Sequence, residues 1–203
     1  ITPFGASTYT LNPGNITGTT FTVSPTSSQT YSITGTSLEG CLSGNVVTTS
    51  ITVNPTPTVA IASVSNPTIC SGNTTTITPS GASTYTLNPG NITGTSFTVS
   101  PTSSQTYSIT GTSTEGCLSG NEATTNITVN PTPTVAIAAV SNPTICSGNV
   151  TTITPSGAST YTLNPGNISG TSFTVNPTSN QTYSITGTSA EGCIGANEAT
   201  TDV

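Results

Sequence analysis

Five cysteines and six carboxylates are the side chains of this sequence whose types and spacing could do chemistry, and most of them recur on a fixed step. Cys41, Cys117 and Cys193 stand 76 residues apart, as do Cys70 and Cys146. A thiol pair in an oxidising compartment closes a disulfide, and paired, evenly spaced cysteines in a small β-rich unit point to that use. The first-ranked pairing joins Cys70 to Cys117 and Cys146 to Cys193, one bond within each unit, and leaves Cys41 without a partner between residues 1 and 203. Each such loop would stabilise the fold by about 4 kcal/mol in the chain-entropy account. The second-ranked pairing, Cys41–Cys70 and Cys117–Cys146, would staple neighbouring units instead.

The acids are Glu39, Glu115, Glu122, Glu191, Glu198 and Asp202. Two carboxylates facing one bond can hydrolyse glycosides, and Glu115 with Glu122 recurs as Glu191 with Glu198. The first copy carries Glu39 but Val46 at the matching place, so the pair is not a constant of the unit, and solvated loop acids are expected. Serine and threonine are abundant, but a nucleophile needs a base, and the chain has no His, Lys or Arg. No catalytic residue is expected. Calcium wants several oxygens around one point, which one or two acids per unit do not supply, so neither a metal nor a cofactor is expected.

Six tyrosines and Phe21, Phe97 and Phe173 fall on strand positions that face inward, so they read as core and not as a sugar platform; there is no Trp. Asn15, Asn73, Asn91, Asn126, Asn149, Asn167 and Asn180 stand in Asn-X-Ser/Thr contexts and are the candidate glycosylation positions.

Those residues are carried by a repeat. The phrase Gly-Ala-Ser-Thr-Tyr-Thr-Leu-Asn-Pro-Gly-Asn-Ile begins at Gly5, Gly81 and Gly157, and only seven positions differ between 81–125 and 157–201. A 76-residue unit is long enough for its own core, which favours tandem domains over a solenoid. The expected boundaries are 1–55 for a partial repeat, 56–131 for a complete one, and 132–203 for one that stops within its last strand. Read this way, the sequence is a window on a longer array.

In the middle copy, period-2 alternation predicts strands over 58–62, 74–78, 83–87, 96–100, 105–110 and 122–129. Asn88-Pro-Gly-Asn91 reads as a type II turn. No stretch has the 3.6-residue apolar period of a helix. Short strands at this spacing predict an all-β sandwich. Its core would hold Ile77, Tyr85, Leu87, Phe97, Val99, Tyr107, Ile109, Ile127, Val129 and Val135. The linkers Asn54-Pro-Thr-Pro-Thr58 and Asn130-Pro-Thr-Pro-Thr134 favour extended backbone, and stiff connectors between like units predict a rod.

A chain of net charge −6 without one basic side chain cannot neutralise phosphates, which excludes nucleic acid and electrostatic attachment to anionic lipid. No apolar run reaches the roughly 20 residues of a membrane span.

The run from Ile69-Cys-Ser-Gly-Asn73, through Ile77–Gly90 and Phe97–Thr112, to Gly116-Cys117 and Ile127–Thr134 resembles the immunoglobulin-like or PKD-like repeats of very large Bacteroidota surface proteins exported by type IX secretion. One departure is Leu11, Leu87 and Leu163, where such repeats usually carry Trp. The resemblance implies tandem Ig-like sandwiches in a secreted, extracellular or cell-surface protein used for adhesion, gliding or fibre formation, with no catalysis. Copies of the protein itself are the expected partners in a fibre. The alternatives are an adhesin module that binds glycan or a cell surface, and a passive spacer of a secreted polysaccharide-degrading enzyme.

Overall fold

The computed structural model describes residues 1–203, which hold 19 β-strands and no helix. The chain packs as two compact units. One comprises 1–58 with 81–84 and 111–121; the other comprises 59–80, 85–110 and 122–203. Their limits cut across the sequence period.

In the first unit, β1 (Thr8–Asn12), β2 (Ile16–Gly18), β3 (Gln29–Thr36) and β4 (Val47–Ile51) form one antiparallel sheet of order β2-β1-β3-β4. Alternation along β1 and β3 turns Tyr9, Leu11, Tyr31 and Ile33 inward, where they bury with Phe21. Ile1 exchanges both backbone hydrogen bonds with Phe21, at 2.8 and 3.0 Å.

The next sandwich is built from β5 (Ala60–Val64), β6 (Thr68–Cys70), β7 (Thr75–Ser80), β8 (Thr84–Asn88), β9 (Ile92–Gly94), β10 (Phe97–Val99), β11 (Gln105–Thr112) and β12 (Ala123–Asn130). One sheet runs β10-β7-β5, the other β6-β12-β11-β8-β9. A three-stranded sheet facing one whose edge strand β6 runs parallel to the last strand is the immunoglobulin-like order. The last sandwich repeats it, without a counterpart of β6, with β13 (Ala136–Val140), β14 (Thr151–Ser156), β15 (Thr160–Asn164), β16 (Ile168–Gly170), β17 (Phe173–Val175), β18 (Thr182–Thr188) and β19 (Ala199–Asp202), in sheets β13-β14-β17 and β16-β15-β18-β19. The expected all-β, Ig-like sandwich architecture is therefore the observed one.

The six strands expected in the middle copy are present with shifted ends. β6 and β9 were not expected, because three residues beside a turn show too little alternation to register. Of the expected core, Val99 and Val129 are only half-buried, whereas Ile69, brought in by β6, is buried. The turn also departs from type II. Asn88–Pro89 is cis, and Gly90 and Asn91 both have positive φ (111° and 51°), as at the two equivalent turns. Asn tolerates that region because its short polar side chain can bond locally.

Each full copy buries one threonine in its core, Thr75 and Thr151. The Thr151 oxygen accepts from the Asn142 N–H at 3.1 Å and lies 3.2 Å from the Ser141 hydroxyl. That ties the turn after β13 to the start of β14. Replacing Thr151 with Val keeps the shape and removes those bonds, so equilibrium denaturation should show a loss of about 1 kcal/mol. An unchanged midpoint would show that the hydroxyl does not hold this turn.

Candidate functional site

The side chains best placed to do something gather where the chain leaves one sandwich and enters the next. β6 pairs in parallel with the end of β12, with Thr68 opposite Thr128, Ile69 opposite Val129 and Cys70 opposite Asn130. Beyond the strand, the Ser71 N–H donates to the Asn130 carbonyl at 2.9 Å. Cys70 is thereby carried to the last residue before the Pro-Thr-Pro linker.

The second cysteine arrives from the other side. In the loop after β18, the Cys193 N–H donates to the Ser189 hydroxyl (3.2 Å) and the Ser189 N–H to the Cys193 carbonyl (2.9 Å). Gly192 takes the positive φ of 84° that this narrow loop requires. The loop lies on the linker: Cys193 Sγ is 3.9 Å from the Asn130 carbonyl, and a Cβ on Gly195 would come 2.8 Å from the Pro133 oxygen. Both cysteines thus meet at Asn130, and they are bonded, with Cα atoms 5.6 Å apart.

This corrects the expected pairings Cys70–Cys117 and Cys146–Cys193, and the second-ranked ones too. The bond joins the first cysteine of one sandwich to the second cysteine of the next, because each sandwich's second-cysteine loop packs on the linker that enters it. Cys41, Cys117 and Cys146 are free thiols. Cys117 repeats the setting of Cys193, its Sγ 3.9 Å from the Asn54 carbonyl. In the chain-entropy account, closing a separation of 123 residues stabilises the native state by about 5 kcal/mol.

Past the disulfide, the entering chain is fixed by two devices that sequence reasoning passed over. The Asn197 side chain accepts from the Val135 N–H (2.9 Å) and donates to the Val135 carbonyl (2.7 Å), as a neighbouring strand would. Gly157 and Gly187 make room: a Cβ on Gly157 would fall on the Thr134 carbonyl, and one on Gly187 would strike Val135 Cγ2 and Ala158 Cβ. The signal was available in the repetition of Gly35, Gly111 and Gly187 and of Asn45, Asn121 and Asn197.

The other residues whose chemistry the sequence singles out remain apart from this cluster. All six acids are exposed, and no three Asp, Glu, Cys or His side chains stand together as a cation would require. The Thr114 hydroxyl, bonded at 2.6 Å, chiefly holds the Glu115 carboxyl below its usual range. The six tyrosines and Phe21, Phe97 and Phe173 are buried, as read from the alternation. Asn15, Asn73, Asn91, Asn126, Asn149, Asn167 and Asn180 are all exposed.

No protein-family model and no curated protein matches this sequence. Among solved structures, a Ca2+-stabilised adhesin with which an Antarctic bacterium binds ice is 13% identical with a TM-score of 0.43, over 96% of this chain and 64% of that one. A 1.5-MDa bacterial ice-binding adhesin is 14% identical (TM-score 0.37; 96% and 84% covered), and the FN1–FN3 domains of chicken CNTN1 are 14% identical (TM-score 0.37; 86% and 76% covered). Likeness at this level carries no argument about function.

The acids themselves provide a test of the disulfide. With no Lys or Arg for trypsin, cleavage after glutamate gives 40–115, 116–122, 123–191 and 192–198 among its products. Non-reducing mass spectrometry should find 40–115 linked to 192–198 and release 116–122 and 123–191 as free-thiol peptides. A link between 40–115 and 116–122 would restore the pairing within one repeat.

Proposed function

We propose that this chain is a structural repeat region of an extracellular bacterial filament or stalk, serving adhesion or fibre formation and carrying no catalytic site. The observation that supports it best is the Cys70–Cys193 bond between consecutive sandwiches. A disulfide within one domain limits how far that domain unravels. One between domains also keeps them docked, which suits a protein that transmits load. It further favours an oxidising, extracellular setting.

On this reading the same register applies along the array. Cys117 takes the first cysteine of the preceding repeat, and Cys146 takes the second cysteine of the following one. The chain's partners are then copies of the same repeat. The resemblance to type IX-secreted Bacteroidota surface repeats accords with this reading, as does a sparsely charged, Thr-rich surface. Glycan binding by an adhesin module would need an exposed aromatic platform, and the tyrosines are in the core. A spacer in a polysaccharide-degrading enzyme would share the architecture without the load.

Two measurements test the proposal. Immunogold labelling of intact cells with an antibody to the repeat should decorate extracellular material with periodic order; label confined to the cell interior would overturn it. Under force applied at the two ends, residues 71–192 stay shielded within the disulfide loop. Reduction should therefore add roughly 400–440 Å of contour length, at about 3.3–3.6 Å per residue. Equal lengths before and after reduction would remove the load-bearing role of the bond.

A further inference from the structure

Cysteine pairing over 29 or 47 residues closes loops shorter than the 76-residue period, whereas the observed bond, over 123 residues, is longer than one period. Pairing within a repeat would leave 118–145 outside every disulfide loop, the Pro-Thr-Pro linker included. Pairing as Cys41–Cys70 and Cys117–Cys146 would leave 71–116 outside. The Cys70–Cys193 register leaves nothing outside. Repeated at each step of an array, its loops overlap by 47 residues, so every peptide bond lies within one loop or two.

The surface decides where a peptidase can reach the backbone. Enzymes that cut after Lys or Arg find no site, and the six tyrosines, Phe97 and Phe173 are buried. The acids are all exposed, and apart from Asp202 they occupy one loop of each copy. Glu39 lies between β3 and β4, Glu115 and Glu122 between β11 and β12, and Glu191 and Glu198 between β18 and β19. Leu118 and Ile194 stand exposed in the same loops. Exposed loops are preferred sites of nicking. Glu122 directly precedes β12, whose pairing with β11 starts at Ala123, so a cut after Glu122 removes no rung of that ladder.

The two observations meet in that loop. Glu115, Glu122 and Glu191 all lie between Cys70 and Cys193, so a cut after any of them falls under the bond. A bond within one repeat would cover Glu115 but not Glu122. Glu39 and Glu198 lie outside the observed loop. In the register of the array they fall under the bonds that Cys117 and Cys146 make with neighbouring repeats.

We propose that the loop carrying Glu115 and Glu122 is a cleavage site for extracellular peptidases, and that the overlapping disulfides keep the cut chain in one covalent piece. Hydrolysis after Glu122 places the hydroxyl of water on the Glu122 carbonyl carbon and its proton on the Ala123 nitrogen. No electron is exchanged, so the S–S bond is left as it was. Residues 1–122 then remain attached to 123–203 through Cys70 and Cys193. Along an array, no single cut separates the two ends; separation takes hydrolysis and reduction together. The recurrence of the bond rests on the assembly reading above, whereas the loop and the bond that spans it belong to this chain.

The test uses the whole chain with Glu39→Gln, Glu115→Gln, Glu191→Gln and Glu198→Gln, which leaves Glu122 as the one glutamate. Native digestion with a glutamyl endopeptidase should add one water to the mass while non-reducing denaturing gels still show a single full-size species. Reductant should then release 1–122 and 123–203. Adding Cys193→Ser should release them without reductant. A chain that resists cleavage under native conditions would overturn the cleavage site, and fragments that separate before reduction would overturn the bridging. For the array, extracellular material bearing the repeat is digested lightly and sized in denaturant. Digestion alone should leave its size unchanged, and digestion with reductant should reduce it to fragments. Periodic extracellular label on material that falls apart on digestion alone would discard scission tolerance and leave the filament reading in place.

Discussion

The segment Asn130–Val135 is the constraint on which the arrangement of the last two sandwiches depends. Its start is paired with β6 and hydrogen-bonded by Ser71, Cys193 lies over it, and its end is held by Asn197. A proline-rich linker has few backbone donors and cannot form a ladder of its own. Its conformation must come from what surrounds it. Here the surroundings are supplied by both neighbouring sandwiches, so a segment that is weak by composition becomes the place where two domains are joined.

That joint lets a lean core suffice. The last sandwich has eight buried apolar residues in its central cluster, the first unit five. Small domains bury a modest share of their surface and commonly need a staple. A disulfide across the junction serves both domains, because it constrains the unfolded chain over more than one repeat and keeps the docked ends together.

By itself, the sequence determined the all-β class, the 76-residue repeat, most strands and most of the core, because a period of two in Tyr, Leu and Ile needs no knowledge of partners. It also determined that the aromatics face inward and that no basic side chain exists to bind phosphate or serve as a base. β6 was illegible, since three residues beside a turn are too few to alternate; its strand character comes from pairing with β12. The cysteine partners were decided only by tertiary structure. A spacing of 47, 29 or 123 residues says how long a loop is, whereas a bond forms between atoms that meet. Cys70 and Cys193 meet because β6 lies parallel to the end of β12 and the Ser189–Gly195 loop folds onto the linker. The roles of Asn197, Gly157 and Gly187 belong to the same class. Their identities were visible at every repeat, but what they make room for or hold appears only once a chain segment far away in sequence is laid against them.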